Sequence, residues 1–423
     1  MKQPFPILVQ AGLIAGAGAA ALLHGGHSRL HWPPISIMLL GLLAAFIVRS
    51  IHQDRPPRFN APMDLFLFAY LAWITLSAVF SFNREQSLGE ALRMTIPVAA
   101  YFLAAYAAPP QKKYLVLGLG AVILMEAAGG LLEVFSPGFL PAALQTAVPA
   151  TPGRVHGTFV NYNHFAGLME AGIFLSFGVL NTVDLDPDVA GFDLIAKRAL
   201  FAIPGGLMII ALVLSMSRGG WASSLAGIIF FAAIFRWRLL KDWKRIALLA
   251  GVILILAGAF LVKANRDLLA KRIGDIEALY QENEISGNER ISLWKSSLEM
   301  VRDHPLFGVG WGAFKDAYPS YRRDNIFVGL VFAHNDFLQI AATSGVPGLA
   351  FFLLFVAMTF GQGFKVIRAD AEDFETRVMP GILAGLFAML VHESVDFGLM
   401  LTSNAMVFFM LCGIIAGRAR EPS

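Results

Sequence analysis

Three arginines, two histidines and a handful of short amides are the residues of this chain whose types and surroundings could do chemistry. Arg218 stands in SMSRGGWAS between two apolar runs, with Ser217 placed to cap the following helix and Gly219-Gly220 leaving the backbone open to a ligand. Free amides at a capped helix N-terminus beside a guanidinium make an anion site; the competing reading is an arginine snorkelling to a membrane interface. His334-Asn335-Asp336 opens HNDFLQIAATSGVPGLAFF. There Asp336 is expected to cap a helix, with Gln339 at the third position. His334, just outside that N-terminus, is held neutral by the dipole and suits a general base, although a lone histidine can equally be structural. In GTFVNYNHFAG, Asn161, Asn163 and His164 have the chemistry of caps and turn formers, or of groups that bond sugar hydroxyls and phosphate oxygens. Arg93, near the end of another apolar run, offers a further positive charge or a second snorkelling arginine.

Other polar groups have plainer readings. HGGHSRLH, with His24, His27 and His31, lacks a nearby carboxylate or cysteine and reads as a loop rather than a metal site. His392 and Asp396, one turn apart in VHESVDFG, pair with each other. Glu126, Glu133 and Glu170 lie within or at the ends of apolar runs and bond to neighbouring helices. A phosphate-binding glycine loop ending in Lys-Ser/Thr is absent, as is an Asp-x-Asp pair in the long polar segment, so nucleotide-driven chemistry has little support.

The elements that position these residues are membrane helices. The chain has 423 residues, 57% hydrophobic and 15% charged, more apolar surface than a soluble fold buries. A span needs roughly 17 to 25 mostly apolar residues, which gives about twelve candidates: 7–23, 32–48, 63–82, 88–108, 114–135, 164–180, 199–216, 219–235, 246–262, 338–360, 378–396 and 402–417. The first run is read as an uncleaved helix rather than a signal peptide. Placing the N-terminus inside puts about 18 basic residues in cytoplasmic loops against about five in short outer loops, so both termini are expected to be cytoplasmic. The expected organisation is all-α: helices one to nine in residues 1–262, a helical outer segment in 263–335, and helices ten to twelve in 336–423.

In that outer segment Leu268, Leu269, Ile273, Ile276 and Leu279 recur at helical spacing, and Ile291, Trp294, Leu298 and Val301 do so again before His304-Pro305. Ser286 and Glu289 have capping-box spacing, which puts Arg290 in a first helical turn. The glycines of LFGVGWGAF read as a tight re-entry, with Trp311 and Phe314 at interfacial depth. Cys412, the single cysteine, excludes a disulfide framework, and nothing resembles a nucleic-acid-binding patch.

Four stretches, GTFVNYNHFAG, SMSRGGWAS, GNERISLWKSSLEMVRDHPLFGVGWGAF and HNDFLQIAATSGVPGLAFF, make this chain resemble the O-antigen ligase and O-antigen polymerase family of bacterial membrane glycosyltransferases. Residues 1–150 match that family mainly in hydropathy. The resemblance implies a donor glycan on undecaprenyl diphosphate, an acceptor hydroxyl on lipid A-core or on another glycan, surrounding membrane lipids, and chemistry without a metal or cofactor at the periplasmic face of the inner membrane. Motif by motif, it assigns Arg218 and Arg290 to the diphosphate and His334 to activation of the acceptor. Ligase is favoured over polymerase, and a lipid-linked-glycan flippase is the alternative from another class. A transporter would carry inverted repeats and charges at the bilayer midplane, whereas here the charges gather at one face.

Overall fold

The computed structural model describes residues 4–26, 30–53, 61–107, 109–145, 154–183, 192–235, 287–322, 332–369 and 371–418. Its described secondary structure is helical throughout, as expected. The principal helices are α1 (Pro4–Leu22), α2 (Trp32–His52), α3 (Ala61–Ser77), α4 (Arg84–Arg93), α5 (Thr95–Ala105), α6 (Pro109–Phe135), α7 (Tyr162–Leu180), α8 (Phe192–Ser215), α9 (Arg218–Phe235), α10 (Gly287–Asp303), α11 (Asp336–Arg368), α12 (Phe374–His392) and α13 (Thr402–Arg418). Among the described residues nine helices are long and apolar enough to cross a membrane, with α9 and α13 as shorter apolar helices. The chain is therefore a multi-pass membrane protein. The expected span 246–262, the expected helix around Leu268–Leu279 and Ser286 lie outside the described residues.

Without water to expel between them, membrane helices associate where small residues let backbones approach. Gly413 and Gly417 of α13 show this against α5: a Cβ at either would lie 2.3 Å from the Tyr101 carbonyl oxygen or 2.4 Å from that of Ala105. Gly381 of α12 likewise abuts the Phe174 carbonyl of α7, where a Cβ would come within 2.3 Å. These contacts bring α5, α7, α12 and α13 together in the interior, where Ile96 to Ala105 are all buried. At one end of the bundle the buried Lys112 Nζ donates to Glu375 Oε2 at 2.9 Å.

Two expected spans are interrupted. The fourth breaks at Met94 into the polar α4 and the eleven-residue α5, because Pro97 has no N–H for the Arg93 carbonyl. The tenth breaks at Gly345 (φ 72°), inside α11. There Val346 N–H turns to the Pro305 carbonyl (2.8 Å), and Pro347 has no N–H to offer. The orphaned carbonyls of Ala342 and Thr343 accept instead from Val309 N–H (2.8 Å) and Gly310 N–H (3.1 Å). The re-entry loop expected from its glycines is thus stitched onto a broken helix, with Gly308, Gly310 and Gly312 all at positive φ.

That stitching packs two side chains into the protein. Trp311 and Phe314 are buried: Trp311 meets Tyr70 edge-on at 6.0 Å, and Phe314 stacks on Tyr318. The α10 stripe is also shifted by one position or two. Leu293 and Met300 are its buried hydrophobic residues, flanked by Trp294 and Val301, while Ile291 and Leu298 are exposed.

Candidate functional site

The residues singled out by their chemistry collect at helix ends on one side of the bundle. Ser217 caps α9 as expected, its Oγ accepting from Gly220 N–H at 3.1 Å. Met216, immediately before it, is held at φ 55°. Arg218, the first residue of α9, is exposed and lines a small pocket together with Arg290, Asn163, Gly219, His392 and Asp396. Arg290 reaches it from the first turn of α10, where sequence spacing put it. The pocket is small, about 30 Å³.

Gly219 and Gly220 serve packing more than ligand approach. A Cβ on Gly219 would lie 2.9 Å from His392 Nε2, and one on Gly220 would lie 2.9 Å from the Ala166 Cβ. Their absence of side chains seats α9 against α12 and α7.

Behind the arginines stands a group of imidazoles and carboxylates. Asp396, 3% exposed, has its Oδ1 3.7 Å from His334 Nδ1 and 3.8 Å from His164 Nε2, and its Oδ2 4.0 Å from His392 Nε2. Burial alone would raise the Asp396 carboxyl, but the facing imidazoles of His164, His334 and His392 outweigh it and hold the group below the usual carboxylate range. The expected pairing of His392 with Asp396 is secondary: His392 Nδ1 donates to Glu170 Oε1 at 2.7 Å, and Ser223 Oγ donates to the same oxygen at 2.7 Å. Glu170, fully buried in α7, thereby ties α7, α9 and α12 into one polar node. Phe397 packs between two imidazole edges, 4.6 Å from the His334 ring and 4.4 Å from that of His164.

His334 sits at φ 50°, a strained region for a non-glycine residue. Its carbonyl accepts from Trp294 Nε1 of α10 at 3.4 Å. The helix cap falls one residue earlier than expected: Asn335, not Asp336, accepts from Leu338 N–H at 3.0 Å, and its Nδ2 donates to the Ser394 carbonyl. Asp336 instead turns inward and accepts from Leu399 N–H at 2.9 Å, while Gln339 reaches back to Ala333 N–H. Asn161 is likewise a cap, accepting from Asn163 N–H at 2.8 Å.

Of the residues expected to bind substrate, then, Asn163 and His164 belong to the cluster. Asn161, Asn335 and Asp336 hold its frame. Arg93 lies elsewhere, buried, with its Nε 2.8 Å from Glu90 Oε2 and its Nη1 donating to the Met400 carbonyl at 2.6 Å. Sequence reasoning underrated Asp396 and His392, for which the four-residue spacing of VHESVDFG was the signal, whereas Glu170 does bond to neighbouring helices as expected. It also passed over Arg154, whose guanidinium covers the Tyr162 ring at 3.6 Å and donates to the Met216 carbonyl beside Arg218. His24 and His31 bond backbone carbonyls of Gln145 and Leu23, and His27 lies outside the described residues.

Comparison with known proteins finds a resemblance over part of the chain. Residues 204–353 match the O-antigen ligase family, a stretch that includes Arg218, Arg290 and His334 but not the GTFVNYNHFAG motif. A general O-oligosaccharyltransferase of Acinetobacter baylyi is 29% identical over 188 residues, 44% of this chain and 32% of that protein, so the chain spans about a third of the length of the curated relative it matches.

Proposed function

We propose that this chain, whose residues 204–353 match the O-antigen ligase family, transfers a glycan from undecaprenyl diphosphate to an acceptor hydroxyl at the periplasmic face of the bacterial inner membrane. The observation that carries this reading is the convergence of Arg218 and Arg290 on one pocket that Asp396 also lines, itself 3.7 Å from His334. Two guanidiniums supply forked donors to phosphate oxygens, a geometry that a lysine point charge does not reproduce. His334 takes the proton from the attacking hydroxyl as its oxygen bonds the anomeric carbon, and the carbon–oxygen bond to the diphosphate breaks with its electron pair leaving on the diphosphate. Attack opposite the leaving group inverts the anomeric centre. Asp396 orients the His334 ring and offsets the imidazolium charge as it develops. The excess of basic residues in the other set of loops supports the orientation with both termini cytoplasmic.

The favoured acceptor is lipid A-core, which makes the protein an O-antigen ligase. The name of the Acinetobacter relative, an O-oligosaccharyltransferase, favours a second reading in which the same machinery serves another hydroxyl-bearing acceptor; joining of lipid-linked repeat units is a third. Purified protein with a lipid-linked glycan and each acceptor tests the reaction, since a transporter yields no product in detergent. Deletion then separates ligase from polymerase: full-length polymer stranded on its carrier supports ligation, and core bearing single repeats overturns it.

A further inference from the structure

A second cavity of about 190 Å³ lies beside the site, and no residue lines both. Its size is below the roughly 300–1,000 Å³ of drug-sized pockets, so it suits one ring rather than a chain. Glu90 and Arg93 form one wall, Trp311 comes from the glycine loop and Lys315 from the turn of helix after it, and Phe332 and Gln339 also line the cavity. Aromatic surface with a few placed polar groups is the lining that orients a small polar ligand. Glu90 is held by Arg93, so its carboxylate is fixed as an acceptor for hydroxyls. The Gln339 carbonyl is occupied by Ala333 N–H, which leaves its amide N–H groups as donors without a partner among the described residues. Gly312, at φ 82°, also lines the cavity, and a Cβ there would lie 2.5 Å from Glu90 Cγ. A side chain at 312 would displace the carboxylate.

Two aromatic rings, Phe332 and Phe397, separate the cavity from the base. Phe332 stacks on Phe397 at 4.4 Å, and Phe397 meets the His334 ring at 4.6 Å. His334 lines neither pocket; Asp396 links it to the arginine pocket and the two rings link it to this cavity. We propose that the cavity is an acceptor-sugar subsite: it seats one neutral pyranose, apolar face on the aromatic wall and hydroxyls on Glu90 and Gln339, and the next sugar of the acceptor carries the attacking hydroxyl to His334. This rests on the glycosyl-transfer reading above and adds where the acceptor is recognised.

The test is binding without donor, so that it stands apart from turnover. Wild-type protein in lipid nanodiscs, free of sugar detergents, is titrated with the methyl glycosides of glucose, galactose and N-acetylglucosamine by saturation-transfer NMR. At least one binds saturably, Glu90→Gln or the exposed Lys315→Ala weakens it on the order of tenfold, and Arg218→Lys leaves it unchanged. In the transfer assay the same cavity variants raise the acceptor KM at constant kcat. The proposal is overturned if no glycoside binds saturably, if neither cavity variant alters binding, or if Arg218→Lys abolishes it. Glycoside binding without transfer would sink the reaction and leave the subsite; transfer without binding would do the reverse.

Discussion

Replacing Asp396 by Asn removes one negative charge while keeping the shape of the side chain. The carboxylate is 3% exposed and stands 3.7 Å from His334 Nδ1. Two unit charges at that separation interact by about 4 kcal/mol at an effective dielectric near 20. In the proposed reaction His334 becomes an imidazolium only while it accepts the proton, so the Asp396 charge acts on the transition state and not on the bound ground state. Since His164 and His392 share the same carboxylate, the part acting on His334 is about 2 to 4 kcal/mol, or roughly 30- to 1,000-fold in kcat. Donor KM should change little, because Arg218 and Arg290 are untouched. The assay is turnover by purified Asp396→Asn with saturating lipid-linked donor, alongside thermal unfolding to show that the bundle survives. A kcat within threefold of wild type refutes the coupling. So does full additivity with His334→Ala, since residues that act as a unit lose no more together than the first loss already cost.

Arg218→Lys and Arg290→Lys should each lower transfer on the order of 100-fold while inserting and purifying normally; wild-type turnover in either removes the forked clamp. Gly345→Ala puts a Cβ 2.0 Å from the Leu306 carbonyl at a φ of 72°, so the melting temperature should fall by several degrees, and an unchanged melt would show that the break in α11 is not locked by the loop. Burial first, then the Asp336 charge, pushes the Glu393 carboxyl well above its ordinary range. A raised folded-state value favours the neutral acid on folding: the contribution is complete below the unfolded value of about 4.3 and is lost as pH rises through the folded one. Glu393→Gln imitates the neutral acid, so its melting temperature should decline less toward alkaline pH than that of wild type; equal slopes would disprove the assignment.

Local features of this site were legible in the sequence, and its assembly was not. The Ser217 cap and the place of Arg290 in a first turn follow from near-neighbour chemistry, so they could be read directly. Hydropathy found the apolar helices for the same reason. Pro97 and Pro347 stood in plain view but were passed over, because a window average registers apolarity and not a missing N–H. The cap fell to Asn335 because a tertiary partner, the Leu399 amide, drew Asp336 inward. Glu170 and His392 are 222 positions apart, a contact that no periodicity encodes. Asp396 looked like one half of a helix-surface pair because the imidazoles that surround it come from three separate parts of the chain.

The polar node has a consequence for the lipid. Glu170, Ser223 and His392 ride on three different helices, and their 2.7 Å bonds hold those helices in mutual register along the bilayer normal. Sliding any one of them by a single residue moves its side chain about 1.5 Å, more than such a bond tolerates. Hydrophobic mismatch is relieved by helix tilt and displacement, so the rate of the proposed transfer should depend on the thickness of the surrounding bilayer. Turnover in vesicles of graded acyl length should peak at one thickness, and a flat profile would mean that the bundle moves as a rigid plug.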